Sequence, residues 1–149
     1  MDLTASARIC AVLLPLPLVL SACGSGDPAR VTADSAKTFD AVAAHEKLYF
    51  NGTEPFWGGE VLNGRLTYTT PDDSAGQIIE VKRFAGLNGL GFSGELGGSA
   101  FDMAVTTGEC SDGMSDRSYP FTVTLRIGDG TRNGCGWTDA MSFTGQKNP

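Results

Sequence analysis

The stretch CSDGMSDRSYP, Cys110 to Pro120, gathers the side chains of this chain best suited to chemistry: serine hydroxyls at Ser111 and Ser115, carboxylates at Asp112 and Asp116, the guanidinium of Arg117 and a thiol. An enzyme would need a nucleophile beside a base, or two carboxylates whose surroundings push their pKa values apart. Ser111 or Ser115 would have to recruit His45, the chain's only histidine, from far upstream, and no GxSxG turn occurs. Asp112 and Asp116 have the makings of an acid pair for a hydrolase, and equally of two solvated loop aspartates. A calcium loop wants oxygen ligands at alternating positions and a closing glutamate, whereas Asp112, Ser115 and Asp116 are interrupted by Met114. The residue types therefore weigh against catalysis, and neither a metal nor a cofactor is expected.

Where the chain resides decides which cysteines matter. Arg8 is the only basic residue ahead of an apolar run from Ile9 to Leu20, which is too short to span a bilayer and reads as a signal peptide over residues 1–22. Leu20-Ser21-Ala22-Cys23 resembles the lipobox of bacterial lipoproteins, which implies cleavage before Cys23 and lipid attachment to it. Two or more acyl chains hold a protein to a membrane durably. Gly24 follows Cys23 where an aspartate would mark inner-membrane retention, so the resemblance implies the periplasmic face of the outer membrane.

Removing 22 of 149 residues leaves 127, enough for one domain of modest core. The expected layout is a lipidated tether over 23–44 and one β domain over 45–149. Asp2 and Arg8 leave together, so the net charge stays at −6. Such acidity argues against nucleic acid and leaves room for a basic partner. Cys10 departs with the signal and Cys23 is consumed, leaving Cys110 and Cys135 in an oxidising compartment, where they are expected to pair. A bridge of this span contributes about 3.5 kcal/mol in the chain-entropy account. The competing two-cysteine metal site lacks a CxxC spacing and a nearby histidine.

The elements that must position these residues are strands. Leu66 and Tyr68 alternate with Arg65, Thr67 and Thr69; Ile79 and Val81 with Glu80 and Lys82; Phe101, Met103 and Val105 with Asp102, Ala104 and Thr106. The clearest is Tyr119, Phe121, Val123, Leu125 and Ile127 against Thr122, Thr124 and Arg126. Turn signals fall at Asn63-Gly64, Pro71-Asp72-Asp73, Gly86 to Gly89, Gly97-Gly98, Asp129-Gly130 and Asn133-Gly134. From Ser35 to about Ala44 a short helix is expected, capped by Ser35 with Phe39 and Ala43 on one face. The fold class is all-β: a small antiparallel barrel or sandwich with that one short N-terminal helix beside it.

A second informative stretch is NGTEPFWGGE, Asn51 to Glu60. Pro55 cannot donate to a sheet ladder and belongs at a strand start or an edge, while Phe56 and Trp57 must point to opposite faces. The choice lies between an aromatic platform beside Glu54 and two packed rings, and packing of both is favoured.

GTEPFW at Gly52 to Trp57, LTYTTPD at Leu66 to Asp72, CSDGMSDRSYP and GCGWTD at Gly134 to Asp139 together resemble a family of uncharacterised lipoproteins of Gram-negative bacteria. That family brings no activity to carry over. In size, anchoring and aromatic-glycine character the chain is also distantly similar to META-type domains and to lipoprotein inhibitors of c-type lysozyme. With Cys110 and Cys135 paired, CSDGMSDRSY lies beside GCGWTD, Asp112 and Asp116 can accept hydrogen bonds from turn amides or from Arg117 and Arg132, and Trp137 can cover the disulfide. Glu54, Trp57, Asp112, Asp116, Arg117 and Trp137 form the candidate binding surface. The function expected is a non-enzymatic envelope module, anchored to the membrane through acyl chains on Cys23, that meets a protein or the cell wall. The alternative is an inhibitor of a basic enzyme such as lysozyme, although GMSDRSY does not reproduce the serine, lysine and tyrosine pattern of such inhibitors.

Overall fold

Period-two burial organises the chain. A computed structural model describes residues 37–145, which fall within one compact unit, 33–149. Nine strands follow one another: β1 (Leu48–Gly52), β2 (Trp57–Leu62), β3 (Arg65–Thr70), β4 (Asp73–Glu80), β5 (Lys82–Ala85), β6 (Gly89–Leu96), β7 (Ser99–Cys110), β8 (Tyr119–Ile127) and β9 (Gly130–Thr138). They form one antiparallel sheet in the order β4-β3-β2-β1-β9-β8-β7-β6-β5. Its two edge strands, β4 and β5, are successive in the chain and separated only by Val81, so the sheet curls into a nearly closed barrel. Where the ends meet, Gly94 of β6 packs so tightly that an added Cβ would lie 2.6 Å from the carbonyl oxygen of Glu80. Between the barrel and the sandwich that the strand pattern allowed, the barrel forms.

The predicted alternations hold but for Tyr119, expected on the inward face of β8, which is buried outside the core against Trp137 and Phe143. Leu66, Phe101, Val105, Phe121 and Leu125 have no exposed surface, and Tyr68, Ile79, Val81, Met103 and Val123 are buried with them. Each aliphatic or aromatic side chain taken fully out of water contributes roughly 1.5–3 kcal/mol, which is what holds so small a barrel closed. Asn63 (φ 50°) and Gly64 (φ 77°) form the tight turn between β2 and β3 that an Asn-Gly pair favours.

Five strands, β1, β2, β5, β6 and β9, carry no clear periodic signal, because they are short or interrupted by glycine. Two expectations are corrected. Ser35, the cap of the expected helix, lies outside the described residues, and residues 37–44 contain bends and a turn but no helix. The chain instead lies as a strap: the Phe39 amide donates to the Gly86 carbonyl (2.7 Å), Arg83 donates to the Val42 carbonyl (2.8 Å), and Val42 is buried in the core. Backbone groups committed to the barrel in this way cannot close helical turns. Asn133-Gly134 is not a turn but lies inside β9, with Gly134 opposite Gly52 of β1 and Val123 of β8.

The interior is filled. Trp57 lies 5.9 Å from Phe50 and 6.5 Å from Tyr68, ring to ring, and Tyr68 packs edge-on to Phe101 at 6.2 Å. The pocket between Val42, Leu48, Val61 and Phe92 holds only about 10 Å³.

Candidate functional site

Cys110 ends β7 and Cys135 lies on the outward face of β9. Their sulfurs are bonded, with Cα atoms 5.6 Å apart, so neither thiolate is available to a metal. The bridge draws the loop between β7 and β8 onto the sheet next to β1, where the Thr53 hydroxyl donates to the Asp112 carbonyl (3.4 Å).

Asp112 organises this loop from within. One carboxylate oxygen accepts from the amides of Met114 (3.0 Å) and Ser115 (2.8 Å), the other from the hydroxyls of Ser115 (2.8 Å) and Tyr119 (3.1 Å). Tyr119 in turn accepts from the Asn51 side-chain amide at 3.4 Å. Burial favours the neutral acid, but these four donors outweigh it and lower the Asp112 carboxyl from 3.8 to about 2. An aspartate followed by amides two and three residues on is a self-closing turn, which accounts for the local sequence Asp-Gly-Met-Ser.

Because the folded acid is stronger than the unfolded one, Asp112 stabilises the fold above pH 3.8, and this contribution disappears as the pH falls towards 2. Asp112→Ala is therefore expected to unfold at lower denaturant than wild type at neutral pH, with the difference shrinking below about pH 4. Asp112→Asn, which keeps one acceptor oxygen for the amides, should lose less. Equilibrium denaturation from pH 7 to 2 measures both; a pH-independent difference would show that the carboxylate charge has no part in it.

The other expected surface residues separate. Asp116 and Glu54 are exposed. Arg117 lies over the Phe143 ring at 4.7 Å. Trp137 is half-buried in an outer aromatic cluster, its ring 5.5 Å from Tyr49, 5.4 Å from Tyr119 and 5.6 Å from Phe143. Trp57 does not belong to a surface: it is 4% exposed within the core, whereas its neighbour Phe56 is 52% exposed. The two rings do point opposite ways, but only one is packed. Arg132 does not serve the loop either. Strand alternation turns it inward, where it donates to the Tyr68 hydroxyl, while Cys135 and Trp137 face out.

Between the disulfide and β1 runs a groove of about 300 Å³ lined by Asn51, Thr53, Ser111, Thr122, Thr124 and Asn133 among others. Its polar, mostly uncharged lining was not foreseen. The outward Thr122 and Thr124 follow from the alternation of β8, but Asn51 required β1 to be recognised as a strand. Asn51 Oδ1 is buried and accepts no hydrogen bond. Among the described residues, no three His, Cys, Asp or Glu side chains gather as metal ligands, and no hydrogen bond joins His45 to Ser111 or Ser115. Comparison with protein-family models, curated proteins and solved structures returned no match.

Proposed function

We propose that this chain is a non-enzymatic module of the bacterial envelope, acylated at Cys23 on the periplasmic face of the outer membrane, which holds a protein or cell-wall partner at its disulfide-braced loop. The observation that carries this reading is the division of labour within the loop. Asp112 spends both carboxylate oxygens inward, while Met114, 67% exposed, and Asp116 stand outward on a backbone held by the bridge. A loop already fixed in shape loses little conformational freedom on binding. The packed barrel interior supports an external site, and the polar groove beside the loop offers hydroxyls and amides to hydrogen-bond a partner.

Two measurements test it. Purified chain is co-sedimented with isolated peptidoglycan sacculi, and a photoreactive side chain at Met114 is used for crosslinking in cells. Retention by sacculi, or a discrete protein adduct, is expected, and Asp116→Ala should reduce whichever occurs by several-fold, the loss typical of one interface contact of about 1 kcal/mol. Absence of both retention and adduct would overturn the reading.

A further inference from the structure

We infer that the corner between β5 and β6 is a membrane-contact patch, so that the barrel rests on the lipid surface to which the chain is tied. This rests on the proposed acylation of Cys23. Phe84 of β5 is 71% exposed and Leu87 in the following turn 60%, so this corner displays an aromatic and an aliphatic side chain to solvent. Close by, a groove of about 460 Å³ runs over Phe84, Gly91 and Ala104, with Lys82 and Arg126 among its lining. Apolar side chains beside a lysine are the composition that settles at a headgroup boundary: the rings and branches enter, and the ammonium stays with the phosphates.

The path of the chain brings the membrane to this corner. The amide of Phe39 is bonded to the carbonyl of Gly86, one residue before Leu87, and Arg83 is bonded to the carbonyl of Val42. Lys37, the first described residue, is therefore only two residues from a bond to the exposed turn. Residues 24 through 36, thirteen in number, separate it from Cys23. Thirteen residues span at most about 45 Å, so an acylated Cys23 keeps the corner within that reach of the bilayer and at high effective concentration.

Charge agrees. Three carboxylates near it are in ion pairs: Asp40 with Lys37, Glu80 with Arg65, and Asp102 with Arg126, while Glu95 lies towards the other end of β6. Lys82 has no carboxylate partner among the described residues. Although the chain as a whole is acidic, this corner presents a cation to anionic headgroups.

The test uses the full chain, expressed in a Gram-negative host with a photoreactive benzophenone side chain at Leu87 or, for comparison, at Asp129, and with palmitate labelling in parallel. Asp129 lies in the turn whose Gly128 amide bonds to Ala100, beyond the far end of β6 and roughly 25 Å away along the strand. The expected result is a palmitate-labelled chain giving about tenfold more lipid adduct from position 87 than from 129, as for one site within the interface and one outside it. Phe84→Ser should lower the adduct at 87 without changing palmitate incorporation. A labelled chain with equal adducts at both positions would overturn the docking and leave the anchor standing. A protein adduct at 87 in place of lipid would assign the corner to a protein and equally overturn it. A chain that takes up no palmitate removes the anchor and the docking inference with it.

Discussion

Gly134→Ala is expected to destabilise the barrel by about 3–5 kcal/mol, lowering Tm by more than about 10 °C, because its methyl group has nowhere to go. A Cβ at this position would lie 2.1 Å from the Asn51 carbonyl oxygen and 2.9 Å from the Trp57 ring. The first of these is backbone, so relief requires β1 and β9 to separate, and these strands close the centre of the sheet. The ring is no easier to move, since Trp57 is held between Phe50 and Tyr68. Gly108→Ala provides the control. Its Cβ would meet only a Thr122 methyl group at 3.6 Å, an ordinary contact, and a change within about 0.5 kcal/mol is expected. Thermal unfolding of the two variants measures the difference, and comparable Tm values would mean that β1 and β9 do not approach as described.

Cys110→Ser and Cys135→Ser are each expected to cost about 2–4 kcal/mol in the oxidised protein, and nothing further once wild type is reduced. The bridge closes a separation of 25 residues, so most of its effect falls on the unfolded chain, whose freedom it restricts. A local effect adds to this. Without the bridge, the loop is held by the Asp112 hydrogen bonds and by the Ser118–Thr144 backbone pairing. Reducing agent should therefore bring wild-type Tm down to that of the serine variants. Variants that remain less stable than reduced wild type would point to the buried Cys135 side chain, 1% exposed, as a packing element in its own right.

Much of the loop was legible. The expectation that Cys10 and Cys23 serve the signal and the lipid anchor leaves Cys110 to pair with Cys135, as it does, and Asp112 is a natural acceptor for turn amides. Its hydroxyl partner Tyr119 is not legible there, since the alternation of β8 places Tyr119 on the strand's buried face. Trp57, for which packing is favoured, fails only as a member of the candidate surface, and Arg132 fails as a partner of the loop, both for one reason. Each stands on a strand whose inward face depends on its neighbours, and a shift of one residue exchanges inside for outside. Residues of Trp57-Gly58-Gly59 carry too little hydrophobic contrast to set that phase alone. Asn133-Gly134 shows a related ambiguity: glycine serves turns through backbone freedom and serves strands through small size.

What the sequence determined by itself was the all-β class, the phase of the strongly alternating strands β3, β7 and β8, the tight Asn63-Gly64 turn and the cysteine pairing. The first three rest on interactions between residues near in sequence, and the pairing on setting Cys10 and Cys23 aside as expected signal and lipid-attachment residues. Only the tertiary structure decided that the sheet closes as a barrel, that residues 37–47 run as a strap and not a helix, that Trp57 is core, and that Phe84 and Leu87 stand exposed beside the point where the described chain begins. Each depends on which strands become neighbours across the sheet, and burial belongs to the pair of surfaces that meet, a quantity no single segment carries.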